Sequence, residues 1–175
     1  GEHLPSYLEK GPTKENPPLR ITRESIEIVK ASAGSNQEDV YKSYDGNQLT
    51  RWTNDGDLSS AWIKYKFKKE TEINQIALKM SGWRTRGYPI VVKAGNKEVF
   101  AGLSERNLGY FYITFDPVIT DEISIRLFGE TEYKDTFNII EITGKLDKET
   151  RNDKQVQNVT SLNLVEVEVF RTLFE

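Results

Sequence analysis

Ile63-Lys64-Tyr65-Lys66-Phe67 alternates apolar and charged side chains. Successive side chains of an extended strand point to opposite faces, so Ile63, Tyr65 and Phe67 share one side and the two lysines the other, the mark of a half-buried strand. The same period of two returns at Ile76, Leu78 and Met80, at Phe111, Ile113 and Phe115, at Ile123, Ile125 and Leu127, and at Val165, Val167 and Val169. Gly95-Asn96-Lys97, Asp116-Pro117 and Gly129 punctuate these runs as turns, and no long 3.6-residue period lies between them. The pattern predicts an all-β chain folded as an antiparallel β-sandwich or barrel, with no internal repeat.

The 175 residues are about one domain's worth of chain. Four of the six prolines fall within the first 18 residues, so residues 1–20 read as a linker or tail, and residues 21–175 as a single domain. Such a tail implies a chain cut from a longer polypeptide or one that follows a removed leader. Residues 144–161 form a polar stretch rich in Lys, Asp, Asn and Gln, expected as an insertion that carries no core residue. Twenty-four Lys+Arg against 27 Asp+Glu leave a net charge of −3 without a basic block, which argues against nucleic acid as a partner. No apolar run approaches the roughly 18 residues of a membrane span. The absence of cysteine excludes disulfides, thiolate zinc sites and cysteine nucleophiles, and leaves the compartment open.

Catalysis finds little support. The one histidine, His3, sits in the tail. Asp55 with Asp57, or Glu141 with Glu166, could be imagined as the paired carboxylates of a glycosidase, but spacing alone does not support either pair. No Ser-His-Asp set, phosphate-cradling glycine loop or zinc signature is present. The expectation is a chain that binds rather than reacts.

One polar loop stands out: Tyr44-Asp45-Gly46-Asn47-Gln48-Leu49-Thr50-Arg51-Trp52. Asp45, Asn47 and Thr50 offer oxygens at near-regular spacing and can wrap a hard cation. The same residues also suit a tight turn at Asp45-Gly46-Asn47 with Thr50 as a local cap. Trp52 and Trp62 read as core or wall residues.

Ser43-Tyr44-Asp45-Gly46-Asn47-x-x-Thr50-x-Trp52, Trp62-Ile63-Lys64-Tyr65 and the closing Leu164-Val165-Glu166-Val167-Glu168-Val169-Phe170 resemble the discoidin, or coagulation factor V/VIII type C, domain. Within that superfamily the chain is most similar to bacterial carbohydrate-binding modules of the family 32 type, over roughly residues 25–175. The resemblance implies a jelly-roll sandwich of about eight strands whose first and last strands lie close together. The Asp45 loop and Glu166 would then meet. It further implies a structural Ca²⁺ held by the Lys42 carbonyl, Asp45, Asn47, Thr50, the Val165 carbonyl and Glu166.

The resemblance puts the ligand site elsewhere, on loops at one end of the sandwich. Ser81-Gly82-Trp83-Arg84-Thr85-Arg86-Gly87-Tyr88-Pro89 is the richest candidate, because a sugar presents an apolar C–H face and a rim of hydroxyls. Trp83 and Tyr88 offer aromatic platforms, and Arg84 and Arg86 offer forked donors. Asn54 and Asp55, in the loop after Trp52, and Tyr110 are further expected contacts. Against this, Trp83 or Tyr88 could fold inward and the arginines pair with Asp55, Asp57 or Glu130. Galactose-binding relatives often carry a histidine where Thr53-Asn54 stands here, whereas two arginines in one loop favour an anionic saccharide. The implied function is a non-catalytic, monomeric, secreted or cell-surface module that targets an attached catalytic module to a polysaccharide, anionic or galactose-containing. The alternatives are a protein- or cell-surface adhesion domain on the same fold, and an accessory domain that shapes a neighbouring active site.

Overall fold

The computed structural model describes residues 21–81, 86–104, 109–133 and 160–174, excepting the side chains of Ile21, Arg86, Glu132, Tyr133 and Phe174. The expected tail at 1–20, most of the expected insertion at 144–161, and Trp83, Arg84 and Glu141 lie outside the described residues.

Among the described residues ten strands follow one another: β1 (Ile21–Ile26), β2 (Ile28–Ala33), β3 (Trp52–Thr53), β4 (Trp62–Met80), β5 (Arg86–Gly87), β6 (Pro89–Ala94), β7 (Lys97–Leu103), β8 (Phe111–Leu127), β9 (Glu132–Tyr133) and β10 (Asn163–Phe174). Two short 3-10 helices, Gln37–Ser43 and Leu58–Ser60, interrupt them. Eight strands join in one antiparallel sheet of order β1-β10-β4-β8-β6-β7, with β2 added on β4 and β3 on β10, while β5 and β9 pair separately.

This sheet is folded over on itself. β4 and β8 are long enough to serve both halves, and their pairing shifts register between Lys66 and Thr71. Below the shift, residues 62–67 of β4 lie between β2 and the 122–127 half of β8, which continues to β6 and β7. Above it, residues 75–80 of β4 lie between β10 and the 111–114 half of β8, with β1 outside β10. The two halves are the facing layers of the sandwich. Asp116-Pro117, expected as a turn, lies within β8 instead. The second register shift, between Ile73 and Gln75, leaves that dipeptide outside the ladder, where the missing N–H of Pro117 costs nothing.

The expected apolar phases point into the core, except that the bulge before Glu166 puts Leu164 rather than Val165 in the core cluster with Val167 and Val169. Ile63, Tyr65, Ile76, Leu78, Ile123, Ile125 and Val169 are all fully buried, and each such side chain stabilises the fold by about 1.5–3 kcal/mol relative to exposure. Tyr65 keeps a polar partner at its tip, with its hydroxyl 2.8 Å from Ser43 Oγ. Ser43 Oγ donates to Val40 O, so Tyr65 supplies the proton between the two hydroxyls. Trp52 is fully buried and its indole N–H donates to Ser35 O at 3.1 Å. Trp62 is half-buried, on the outward phase of β4 with Lys64.

Candidate functional site

The Asp45 loop leaves the 3-10 helix Gln37–Ser43 and folds through two nested Asx turns. Asn47 N–H donates to Asp45 Oδ1 and Leu49 N–H donates to Asn47 Oδ1, both at 2.9 Å. Gly46 sits between them at φ 75, a left-handed conformation that a residue with a Cβ adopts at a cost. Thr50 Oγ1 then faces three acceptors at once: Asp45 Oδ2 at 2.7 Å, Asn47 O at 3.1 Å and Lys42 O at 3.4 Å. From β10, Glu166 Oε1 accepts Gly46 N–H at 3.1 Å across 120 residues of sequence. A bulge between Leu164 and Glu166 takes Val165 out of the ladder with β4 beside this contact.

The turn geometry is therefore real, yet it leaves a charge problem. Glu166 is 5% exposed. Burial pushes its carboxyl up to about 7, Asp45 and Glu168 add to the rise, and the Gly46 N–H offsets part of it. The described ion pairs, Lys42 with Asp39 and Lys66 with Asp121 and Glu122, give neither Asp45 nor Glu166 a cation. Two carboxylates, a hydroxyl and the Lys42 and Asn47 carbonyls gather at one place, an oxygen set that fits a hard cation such as Ca²⁺. Both oxygens of Asn47 already accept hydrogen bonds, Oδ1 from Leu49 N–H and the carbonyl from Thr50, so whichever one ligates would share or release a bond. Among the described residues no three His, Cys, Asp or Glu side chains cluster, so carbonyl and hydroxyl oxygens would complete the shell.

The second cluster forms where β4 ends. Tyr88, expected to present its ring to a ligand, is instead 1% exposed. Its hydroxyl donates to Ser81 O at 2.7 Å and accepts from Asn163 Nδ2 at 3.2 Å. Its backbone is clamped as well: Tyr88 N–H donates to Ser104 Oγ at 3.0 Å and Ser104 N–H donates to Tyr88 O at 2.9 Å. Ser81 N–H donates to Asn163 O, and Asn163 Oδ1 accepts Thr53 Oγ1 at 2.5 Å. Tyr88, Ser81, Asn163 and Thr53 thus make a bonded floor that ties the end of β4 and the start of β6 to the segment entering Asp55. Arg86 is in β5, opposite Tyr133 of β9.

Asn54 is likewise a framework residue rather than an exposed contact. It is 4% exposed, its amide N–H groups go to Asp57 O and Thr160 O, and its Oδ1 accepts Leu162 N–H at 2.8 Å. Asp55 is exposed at the surface above it. The Ser60 hydroxyl and the Asp57 N–H bond its carboxylate and hold its pKa below the ordinary value. Tyr110 does not join this cluster among the described contacts. Its hydroxyl accepts Gln48 Nε2 at 3.3 Å, beside the Asp45 loop. Asn163 and Ser104 escaped the sequence reading, and Ser81 entered it only as the first residue of the candidate stretch, since nothing local marks residues whose partners are far along the chain. Tyr88 did carry a signal: Tyr88, Ile90, Val92 and Ala94 form one period-two series, and all four are buried.

The family model described as F5/8 type C domain matches residues 27–142. No curated protein matches the chain in sequence. Among solved structures the chain is similar to truncated AlyQ with its CBM32 and alginate lyase domains, at TM-score 0.63 and 17% identity over 87% of this chain and 34% of that one. The chain therefore spans about a third of that protein. It is also similar to the CBM32 of AlyQ in complex with 4,5-unsaturated mannuronic acid, at TM-score 0.58 and 19% identity, covering 85% of this chain and 98% of that one. A pectin-binding carbohydrate-binding module matches at TM-score 0.57 and 20% identity, covering 82% and 91% respectively. At these identities the likeness is one of fold, and it supports the antiparallel β-sandwich expected from the strand pattern and the discoidin-type fold that the resemblance implied.

Proposed function

The chain belongs to the F5/8 type C domain family, and from that premise we propose that it is a non-catalytic carbohydrate-binding module recognising a glycan at the loop-bearing end of the sandwich. The observation that carries this reading is the bonded floor under that end. Tyr88, Ser81, Asn163 and Thr53 bond the end of β4 and the start of β6 to the segment entering Asp55, and on this reading Trp83 and Arg84, between those two strands in sequence, supply the aromatic and guanidinium contacts. Rigid bases lower the ordering cost of weak, loop-borne recognition. The mannuronic acid bound by one structural relative and the pectin binding of another make uronate-bearing glycans the first class to test. On this reading the module works outside the cell, attached to a catalytic module. Affinity electrophoresis on a polysaccharide panel, with Trp83→Ala alongside, tests the proposal. Retardation on one polymer that disappears in the variant supports it, and no retardation on any polymer refutes it.

A structural Ca²⁺ in the Asp45 loop belongs to the same proposal, with Lys42 O, Asp45, Asn47, Thr50 and Glu166 as ligands and the Val165 carbonyl freed beside them by the bulge. The ion would neutralise the facing carboxylates and pin the loop to β10. Asp45→Ala should abolish any rise in melting temperature that calcium gives the wild type over a chelator, and a wild type insensitive to both would refute the site.

A further inference from the structure

The outward phases of β4, β8 and β6 line a groove of about 660 Å³ on the layer that ends in β7. Strand register arranges its floor in rows. Trp62, Arg126 and Val91 stand side by side in one row, and Lys64, Ser124 and Lys93 in the next. Below them Lys66 and Glu122 close an ion pair at 3.5 Å. Lys64, Lys93 and Arg126 are exposed and have no ion-pair partner among the described residues, while Glu98 is the one carboxylate of the lining outside that pair. Glu98 stands directly opposite Lys93 across β6 and β7, so the three cations outnumber the two carboxylates of the lining by one, in a chain whose net charge is −3.

The groove also has a fixed apolar wall. A Cβ on Gly34 would lie 2.7 Å from Trp62 Nε1 and 2.5 Å from Ser60 O, so the bare glycine lets the indole settle against the backbone. Lys64 Nζ lies over the Trp62 ring, 5.7 Å from its centre, so a sugar face stacked there displaces the ammonium from the ring. Lys64 and Lys93 flank Ser124 from strands two spacings apart, about 10 Å. The Trp62 row borders the loop-bearing end, where Leu127 N–H donates to Ala61 O and Phe128 N–H to Pro89 O.

We propose that this groove is a second binding site, separate from the loops, for the interior of an extended uronate polysaccharide. Trp62 receives a sugar face, Arg126 forks onto a carboxylate, and Lys64 and Lys93 neutralise carboxylates along the chain. The site makes polymer length matter, which recognition by one loop cluster does not. Its ligand class follows from the groove's own charge and aromatic wall and does not depend on the loop reading.

The test is binding of the 175-residue chain to sodium polygalacturonate and sodium alginate, by affinity electrophoresis and calorimetry, with a neutral galactan as control. The double variant Lys93→Glu/Arg126→Glu replaces two exposed side chains, and its melting curve checks that the fold survives. At least a tenfold loss of polymer affinity in that variant, equivalent to about 1.4 kcal/mol, with wild-type binding that weakens as salt rises, is the expected result. Unchanged retardation of the double variant overturns the proposal, as does wild-type retardation on the neutral galactan alone. Trp83→Ala separates the two sites. If it abolishes binding while the double variant binds normally, the groove falls and the loop site stands. If only the double variant fails, the groove stands and the loop reading falls. Absence of binding to every acidic polymer sinks the groove outright.

Discussion

Replacing Glu166 by glutamine isolates the charge problem at the Asp45 loop, because the amide keeps the shape of the side chain and removes its titration. In a chelator, the folded-state carboxyl titrates at about 7 against an ordinary 4.5. The native state then holds the proton more tightly than the unfolded chain. This contribution to stability is fully present below about pH 4.5 and is lost as pH rises through about 7. At about 1.36 kcal/mol per pH unit the gap sets a ceiling of about 3 kcal/mol, and solvent at the rim of the loop brings it to about 2 kcal/mol. For a chain of this size that is about 4–8 °C in Tm. Glu166→Gln should therefore melt higher than wild type at pH 7.5 in chelator, with the gap closing toward pH 4.5. Added calcium should reverse the order: at a hundredfold excess over Kd, binding stabilises the wild type by about 2.7 kcal/mol, and the variant, short of one carboxylate ligand, gains much less. Thermal melts of both proteins across pH 4.5–7.5, in chelator and in calcium, read all of this. A variant that melts no higher than wild type at pH 7.5 in chelator would refute the repulsion argument, and equal stabilisation of both by calcium would remove Glu166 from the ligand set.

Tyr88→Phe leaves Ser81 O and Asn163 Nδ2 without their shared partner and should cost about 1–3 kcal/mol in urea unfolding. It should also weaken glycan binding more than a surface change of equal stability cost does. Tyr65→Phe removes the proton that Ser43 Oγ accepts in the core and should cost about 1–2 kcal/mol by the same measurement, leaving binding unchanged. Gly46→Ala meets no atom within 4 Å. Its cost is the left-handed backbone alone, about 1–2 kcal/mol or a few degrees in Tm, and a full steric collapse of the loop would contradict that reasoning.

The layers were legible because side-chain phase is a local property. Ile63, Tyr65 and Phe67 must share a face once they are extended, whatever the rest of the chain does. The corner was not legible, since a dipeptide such as Asp116-Pro117 looks the same in a turn and at a bulge, and only the register of β8 against β4 decides. The meeting of Gly46 with Glu166 came from family resemblance rather than from spacing, because no local pattern encodes a contact across 120 residues. Asn54 and Asn163 are the same case: polar residues next to exposed loops, buried because distant backbone groups need them. Tyr88 was expected as an aromatic platform for a sugar, and the inward alternative is the one the structure adopts, in keeping with the period-two series it begins. Trp62, expected as a core or wall residue, stands half-buried on the outward phase of β4, and nothing in the sequence showed what lay beside it on β8 and β6.

β4 and β8 pass through the corner as unbroken main chain, so the two layers cannot slide over one another without stretching both strands at once. Clam-shell closure around a ligand is thereby denied to the sandwich. The rim that carries Ser81, Tyr88 and Asp55 is then a fixed bezel, and adaptation to a ligand there is left to side-chain rotation.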